Sequence, residues 1–183
     1  ANAAPGVDFG VILYDANSNV LQSQFNGVTG PTLYAAMTDG AITLSDARQS
    51  STGVTYTATF TIGVAVPSAG VIKLTAPSAV GVPSSTTCSV VSGSAAAGSA
   101  SVSSSSVSGQ VISLTMSGTT AATGSLGVSC TGFTNPASTT NGWSISTGTA
   151  SMIMQSQSGI NGPTLITGDL SSVSVVPSDA TAG

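Results

Sequence analysis

The feature that most constrains the fold is an alternation of apolar and hydroxylated residues that runs from position 54 to position 62 and continues past Gly63 to Val64. The apolar positions are Val54, Tyr56, Ala58, Phe60, Ile62 and Val64, and threonine occupies positions 55, 57, 59 and 61. Successive side chains of a β-strand point to opposite faces of the sheet. The alternation therefore predicts a long strand that buries one face and presents a row of hydroxyl groups on the other.

Shorter segments of the same kind follow along the chain, separated by Gly, Pro, Asn and Ser. Inward rows are expected at Ile72 and Leu74, at Val90 and Val91, at Ile112, Leu114 and Met116, at Leu126, Val128 and Cys130, at Trp143 and Ile145, and at Met152 and Met154. No segment shows a helical period. Many short strands separated by turn residues are typical of a sandwich, so we predict an all-β, antiparallel β-sandwich.

Charged residues make up only 4% of the chain, against roughly 25% in an ordinary soluble domain. The cations are Arg48 and Lys73, the six anions are all Asp, and His and Glu are absent. Since net charge keeps cytoplasmic proteins soluble, a surface covered by hydroxyl groups favours an extracellular or cell-surface location. The net charge of −4 argues against nucleic acid and anionic membrane as partners, and no apolar run predicts a membrane span.

Cys88 and Cys130 are the two cysteines of the chain. Both stand in segments that we expect to be strands, and a secreted chain folds in an oxidising compartment. We therefore predict a disulfide between them, which contributes roughly 4 kcal/mol in the chain-entropy model. Two buried free thiols are the alternative.

Residues that support catalysis or metal binding are largely missing. Without His, neither a Ser-His-Asp nor a Cys-His arrangement can form, and the six Asp are scattered along the chain. The segment 15–19 has the spaced oxygen ligands that begin a calcium loop but lacks its Gly and Glu, which favours a hairpin turn. We predict that the protein is not an enzyme and uses no metal and no cofactor.

Several short motifs occur twice, at an offset that stays within one residue of 133. The pairs are Gln22-Ser23-Gln24 with Gln155-Ser156-Gln157, Gly30-Pro31-Thr32-Leu33 with Gly162-Pro163-Thr164-Leu165, and Leu44-Ser45-Asp46-Ala47 with Pro177-Ser178-Asp179-Ala180. Residues 11–14 align in the same way with residues 144–147. Matches that share one register indicate an internal repeat, and repeats in series build linear structures.

Five segments carry a family resemblance: residues 42–47 (ITLSDA), 54–61 (VTYTATFT), 71–77 (VIKLTAP), 107–114 (VSGQVISL) and 132–136 (GFTNP). Together they resemble the Ig-like β-sandwich repeats of extracellular proteins from algae, protists and some prokaryotes. The resemblance implies an Ig-like sandwich that serves as a tandem structural or adhesive module without enzymatic activity. The composition is also similar to that of protomers of glycan-coated extracellular fibrils.

The repeat and the resemblance predict three parts. Residues 1–37 are expected to hold a strand segment from the end of a preceding repeat and a linker. Residues 38–154 are expected to form the Ig-like sandwich, and residues 155–183 a linker and the opening strand of a following repeat.

The flanking strands are the predicted means of assembly. Their apolar residues are Val7, Phe9, Val11 and Leu13 at one end and Val173 and Val175 at the other. Because an edge strand is a template for strand addition, we expect these strands to pair with neighbouring units. This predicts a structural subunit of an extracellular filament, stalk or surface array whose partner is a copy of itself. The alternative is an extracellular adhesin module that binds a glycan or another surface ligand.

The hydroxyl-rich surface also predicts covalent O-linked glycans. No Asn has a Ser or Thr two positions after it, as N-glycosylation requires, so any glycan must be O-linked. The candidate sites are Thr55, Thr57 and Thr59 on the long strand, and Ser101, Ser103, Ser104, Ser105 and Ser106 in a segment expected to be a loop.

Overall fold

A computed structural model of the chain describes residues 36–167 and two further strands at 11–14 and 20–24. The strands are β1 (Val11–Tyr14), β2 (Val20–Gln24), β3 (Thr38–Leu44), β4 (Thr52–Ile62), β5 (Val71–Thr75), β6 (Cys88–Val90), β7 (Ser101–Ser108), β8 (Val111–Ser117), β9 (Gly124–Thr134), β10 (Trp143–Gly148) and β11 (Ile153–Ile160). Within the described residues there is no helix, and so none that is long and apolar enough to cross a membrane.

Nine of these strands form two antiparallel sheets that pack face to face. The order in the five-stranded sheet is β11-β10-β5-β8-β7, and in the four-stranded sheet it is β3-β4-β9-β6. The inner faces of both sheets contribute to one hydrophobic core. The prediction of an all-β, antiparallel β-sandwich is confirmed.

The long alternating segment is β4, and it forms the centre of the four-stranded sheet beside β9. Its apolar residues from Val54 to Ile62 are buried, whereas the threonines between them are half-buried on the outer face. Tyr56 packs against Phe133 of β9 and against Trp143 of β10, with ring centroids 4.8 Å and 5.2 Å apart. Since Trp143 belongs to the other sheet, this aromatic cluster ties the two sheets together.

Most of the other inward rows are also where the sequence places them. The fully buried residues of these rows include Ile72, Ile112, Leu114, Met116, Leu126, Val128 and Ile145. Burying each large aliphatic side chain contributes roughly 1.5–3 kcal/mol, so these rows supply most of the driving force for folding.

The row expected at Met152 and Met154 is wrong. Met152 lies before β11 and is 48% exposed, and Met154 is half-buried. A bulge in the pairing of β10 with β11 shifts the alternation by one residue, so that Gln155 faces the interior instead. Gln155 is polar, so the sequence gives no sign that it faces inward, and the neighbouring methionines are the apolar residues from which an inward row is predicted.

Strand β11 also runs across position 154, where the sequence places the end of the sandwich. The chain beyond it stays against the sandwich as far as residue 166. Ile166 donates its amide hydrogen to the Ala47 carbonyl and accepts a hydrogen bond from the Gln49 amide, at 2.9 Å and 2.8 Å. The segment expected to be a linker therefore begins as an edge strand of the five-stranded sheet.

The serine-rich segment that starts at Ser101 is not the loop that the sequence predicts. It forms β7, an edge strand paired with β8 along its whole length. The pairing skips one residue between Val102 and Ser104, which interrupts the apolar alternation. Because Val102 and Val107 then stand five positions apart, no strand period is visible in the sequence.

Candidate assembly and modification surfaces

The predicted disulfide between Cys88 and Cys130 is confirmed. The two residues lie directly opposite each other on β6 and β9, with Cα atoms 4.1 Å apart and their sulfur atoms bonded. Both side chains belong to the core. The bond fixes the short strand β6 to the long strand β9, and it is compatible with a secreted protein.

A buried amide at the end of β9 anchors the loop between β3 and β4. The Asn135 side-chain nitrogen donates hydrogen bonds to the carbonyl oxygens of Asp46 and Arg48, at 2.8 Å and 2.7 Å. Its side-chain oxygen accepts one from the Tyr56 hydroxyl at 2.8 Å. Asn135 is 3% exposed, so these three bonds satisfy an amide that has little access to water.

The same loop carries an ion pair on its outer side. The Arg48 guanidinium lies 2.6 Å from the Asp46 carboxylate, which also accepts hydrogen bonds from the Arg48 amide and the Ser51 hydroxyl. These contacts, led by the Arg48 side chain, hold the pKa of Asp46 well below its usual range. Burial raises the pKa of Tyr56 to about 12, so its phenol remains a donor to Asn135 at neutral pH.

Two glutamines fasten the β10–β11 hairpin to the opposite sheet. The Gln155 amide accepts a hydrogen bond from the Gly63 N–H and donates one to the Val64 carbonyl, both at 2.9 Å. The Gln157 side-chain oxygen accepts a hydrogen bond from the Gly40 N–H at 2.9 Å. A Cβ at position 40 would lie 2.7 Å from this oxygen, so a larger residue there would force the Gln157 side chain to move.

We expect Gln155→Ala to lower the free energy of unfolding by about 1–3 kcal/mol, because it leaves a peptide N–H and a peptide C=O without their partner. Gln157→Ala is the matched control, and its effect should be smaller because the half-buried Gln157 satisfies only one backbone group. Urea unfolding of both variants measures the difference. Equal losses would contradict the anchoring role of Gln155.

The N-terminal hairpin β1–β2 has the same register as the β10–β11 hairpin. In β1–β2 the pairs are Val11↔Gln24, Ile12↔Ser23, Leu13↔Gln22 and Tyr14↔Val20. In β10–β11 the corresponding pairs are Ile145↔Gln157, Ser146↔Ser156, Thr147↔Gln155 and Gly148↔Ile153. Both hairpins skip one residue at the same step, before the last pair. The registers therefore align residues 11–14 with residues 145–148, one position beyond the alignment with residues 144–147 that the sequence predicts.

The two hairpins differ in their surroundings. Strand β10 pairs on its second edge with β5, from Ser144↔Thr75 to Gly148↔Val71. Among the strands that the structure describes, β1 and β2 pair only with each other. The second edge of β1 therefore has no partner strand in the described part of the chain.

Of the residues predicted to mediate assembly, Val11 and Leu13 lie on β1. The other four, Val7, Phe9, Val173 and Val175, lie outside the described residues. The calcium-loop alternative at residues 15–19 also lies outside them.

Hydroxyl groups form rows across the outer faces of both sheets. One row on the four-stranded sheet runs through the paired residues Thr43, Thr57, Ser129 and Ser89. A row on the five-stranded sheet runs through Ser156, Ser146, Lys73, Ser113 and Ser106. Apart from Lys73, neither row contains a charged residue, so hydroxyl groups provide most of the contact with water on these faces.

The candidate glycan positions differ in accessibility. Ser101, Ser103, Ser104 and Ser106 are exposed on the edge strand β7, whereas Ser105 is half-buried and donates a hydrogen bond to the Thr86 carbonyl. Thr55, Thr57 and Thr59 are half-buried on the central strand β4. The exposed serines of β7 are therefore the more accessible acceptors.

The described residues contain no group of three His, Cys, Asp or Glu side chains placed to hold a metal ion. Comparison of the chain with protein-family models, curated proteins and solved structures gives no match.

Proposed function

We propose that the protein is a structural subunit of an extracellular filament, stalk or surface array. Its units join linearly through the terminal β-strands, and its outer faces carry O-linked glycans. The observation that carries the proposal is the β1–β2 hairpin, which has the register of an integral hairpin of the sandwich but pairs with no further strand among the described residues.

An unpaired strand edge favours assembly for a physical reason. Its free N–H and C=O groups can extend the sheet of another molecule, and its apolar side chains gain by leaving water. Val11 and Leu13 each contribute roughly 1.5–3 kcal/mol when buried, before the cost of ordering the strand. Repeated along a fibre, such contacts hold subunits end to end.

The surface supports an extracellular structural role over an adhesive one. The rings of Tyr56, Phe60, Phe133 and Trp143 are buried, so in the described part of the chain these aromatic residues offer no platform for stacking on sugars. The disulfide fits an oxidising compartment. Hydroxyl groups stand where an ordinary domain has charges, and covalent glycans would add the hydration that the protein surface lacks.

We expect the natural material to have an intact mass above the 17.5 kDa of the bare chain. Peptide mapping should place more glycan on exposed Ser101, Ser103, Ser104 and Ser106 than on half-buried Thr57, whose hydroxyl also contacts Ser129. The measurement is intact-mass spectrometry before and after chemical deglycosylation. An intact mass equal to that of the bare sequence would contradict the glycan part of the proposal.

Assembly should depend on the chain ends. We expect the full chain to sediment as multimers of 17.5 kDa at high concentration, and chains without residues 1–24 or without residues 170–183 to sediment as monomers. A β-type circular dichroism spectrum and an intact disulfide would show that the shortened chains are folded. If both shortened chains still form multimers, or if the full chain is monomeric, the filament proposal fails and an adhesin module takes its place.

A further inference from the structure

In the sandwich, the β10–β11 hairpin pairs with β5. The chain has a second hairpin with the same register, β1–β2. We call the site that binds β10–β11 the hairpin seat: the edge of β5 from Val71 to Thr75, together with the backbone groups of Gly40, Gly63 and Val64 that bind the hairpin's glutamines. In the structure β10–β11 occupies the seat. The matching register of β1–β2 means that it presents the same backbone groups in the same order.

The residue types of β1–β2 suit the seat. Superposing the two registers puts Val11 at the position of Ile145, Leu13 at that of Thr147, and Gln22 and Gln24 at those of Gln155 and Gln157. Continuing the same offset along the sequence places Phe9 at the position of Trp143. The apolar residue at position 145 and both glutamines are thus retained, the aromatic residue at position 143 is matched by Phe9 in the sequence, and apolar Leu13 stands at the position of Thr147.

The resident hairpin leaves two polar atoms unsatisfied in the seat. The indole nitrogen of Trp143 and the hydroxyl of Thr147 are buried and have no hydrogen-bond partner in the described structure. Their counterparts in the N-terminal hairpin are Phe9 and Leu13, whose side chains have no polar atom. Leaving a buried donor or acceptor unpaired is costly, so β1–β2 can fill the seat without the penalty that β10–β11 incurs there.

We infer that β1–β2 docks in the hairpin seat of a second copy of this chain, where β1 pairs with β5 and displaces β10–β11. This deepens the proposed function, on which it rests, by naming the partner surface and the register. Val11, Ile12, Leu13 and Tyr14 pair with Leu74, Lys73, Ile72 and Val71 of the second copy, as β10 does within one chain. Pairing of this kind is strand addition, and because every copy has both a β1–β2 hairpin and a seat, it can continue from copy to copy.

Engineered disulfides test the register in the full-length chain. The variant Ile12→Cys with Lys73→Cys places a thiol on each strand of the inferred pair, and directly opposed residues have Cα atoms close enough for a disulfide. After mild oxidation, we expect the band on a non-reducing gel to shift from monomer to a ladder of multimers that reductant returns to monomer. Peptide mapping should find the 12–73 link within the ladder.

Two matched variants serve as controls. Ser146→Cys with Lys73→Cys is the pair that β10 makes here, and it should give a link within one chain before assembly. Ser23→Cys with Lys73→Cys should give no ladder, because β2 would lie two strand spacings, or about 9.5 Å, from β5. A ladder from the Ser23 variant, a 12–73 link confined to monomers, or no 12–73 link at all would overturn the inference. If filaments form without that link, the seat is wrong but the filament proposal stands.

Discussion

Replacing Cys88 and Cys130 together by alanine should lower the free energy of unfolding by about 4 kcal/mol, since the bond closes a loop of 42 residues. That is a large part of the 5–15 kcal/mol that stabilises a typical domain. The strand β6 has only three residues and sits at the edge of its sheet, so it depends on this bond to stay beside β9. Loss of the two buried sulfur atoms adds to the effect.

The measurement is denaturant unfolding of the wild type and the double variant, each with and without reductant. Reductant should destabilise the wild type nearly as much as the substitutions do, and it should leave the double variant unchanged. A difference between wild type and variant below about 1 kcal/mol, far under the chain-entropy value, would show that the bond contributes little.

The second large effect is expected from Asn135→Asp, which keeps the shape of the side chain but replaces its NH₂ group by an oxygen. That oxygen would face the carbonyl oxygens of Asp46 and Arg48 at the distances of the present hydrogen bonds. A buried and uncompensated carboxylate costs roughly 3–5 kcal/mol. The loop between β3 and β4 would lose its attachment to β9 at the same time.

The loss should depend on pH in a defined direction. Burial and the facing carbonyl oxygens raise the pKa of the new carboxyl group in the folded state above its unfolded value of about 3.9. The variant is therefore closest to wild type below about pH 4, and it loses further stability as the pH rises from there toward the folded pKa. Unfolding curves of both proteins at matched pH values test this.

Tyr56→Phe is the control for the same network. It removes one hydrogen bond to Asn135 but introduces no charge, so its cost should be about 0.5–1.5 kcal/mol and independent of pH near neutrality. If Asn135→Asp lowers the free energy of unfolding no more than Tyr56→Phe does at neutral pH, the carboxylate is hydrated. Residue 135 would then not be the buried anchor of the loop between β3 and β4.

The parts of the fold that sequence reasoning predicted are those with uninterrupted period-2 patterns. The alternation around Tyr56 and Phe60 identifies β4, and the rows at Ile112 and Leu126 identify β8 and β9. Each of these strands has one buried and one hydrated face. Apolar residues therefore alternate with polar ones along the sequence, and the alternation shows which side chains face the core. The order of the strands in each sheet leaves no such trace, because it depends on contacts between distant segments.

The errors come from bulges and from polar residues turned inward. A bulge near Val102 interrupts the alternation in β7, and another near Met154 turns Gln155 into the core. Only the bend that follows β4 explains Gln155, because its partners are the backbone groups of Gly63 and Val64 in that bend. The repeated Gln-Ser-Gln motif is the sequence signal for these contacts, but the sequence does not reveal which backbone groups the glutamines bind.

Negative-stain electron microscopy of the concentrated full-length chain tests linear assembly most directly. Two variants make the image decisive: Leu13→Asp places a charge at the position of the buried Thr147, and Ile12→Asp places it at that of the outward-facing, half-buried Ser146. We expect filaments about one sandwich wide from the wild type and from Ile12→Asp, and isolated particles from Leu13→Asp. Isolated particles from the wild type, or filaments from all three chains, would contradict assembly through the N-terminal strand.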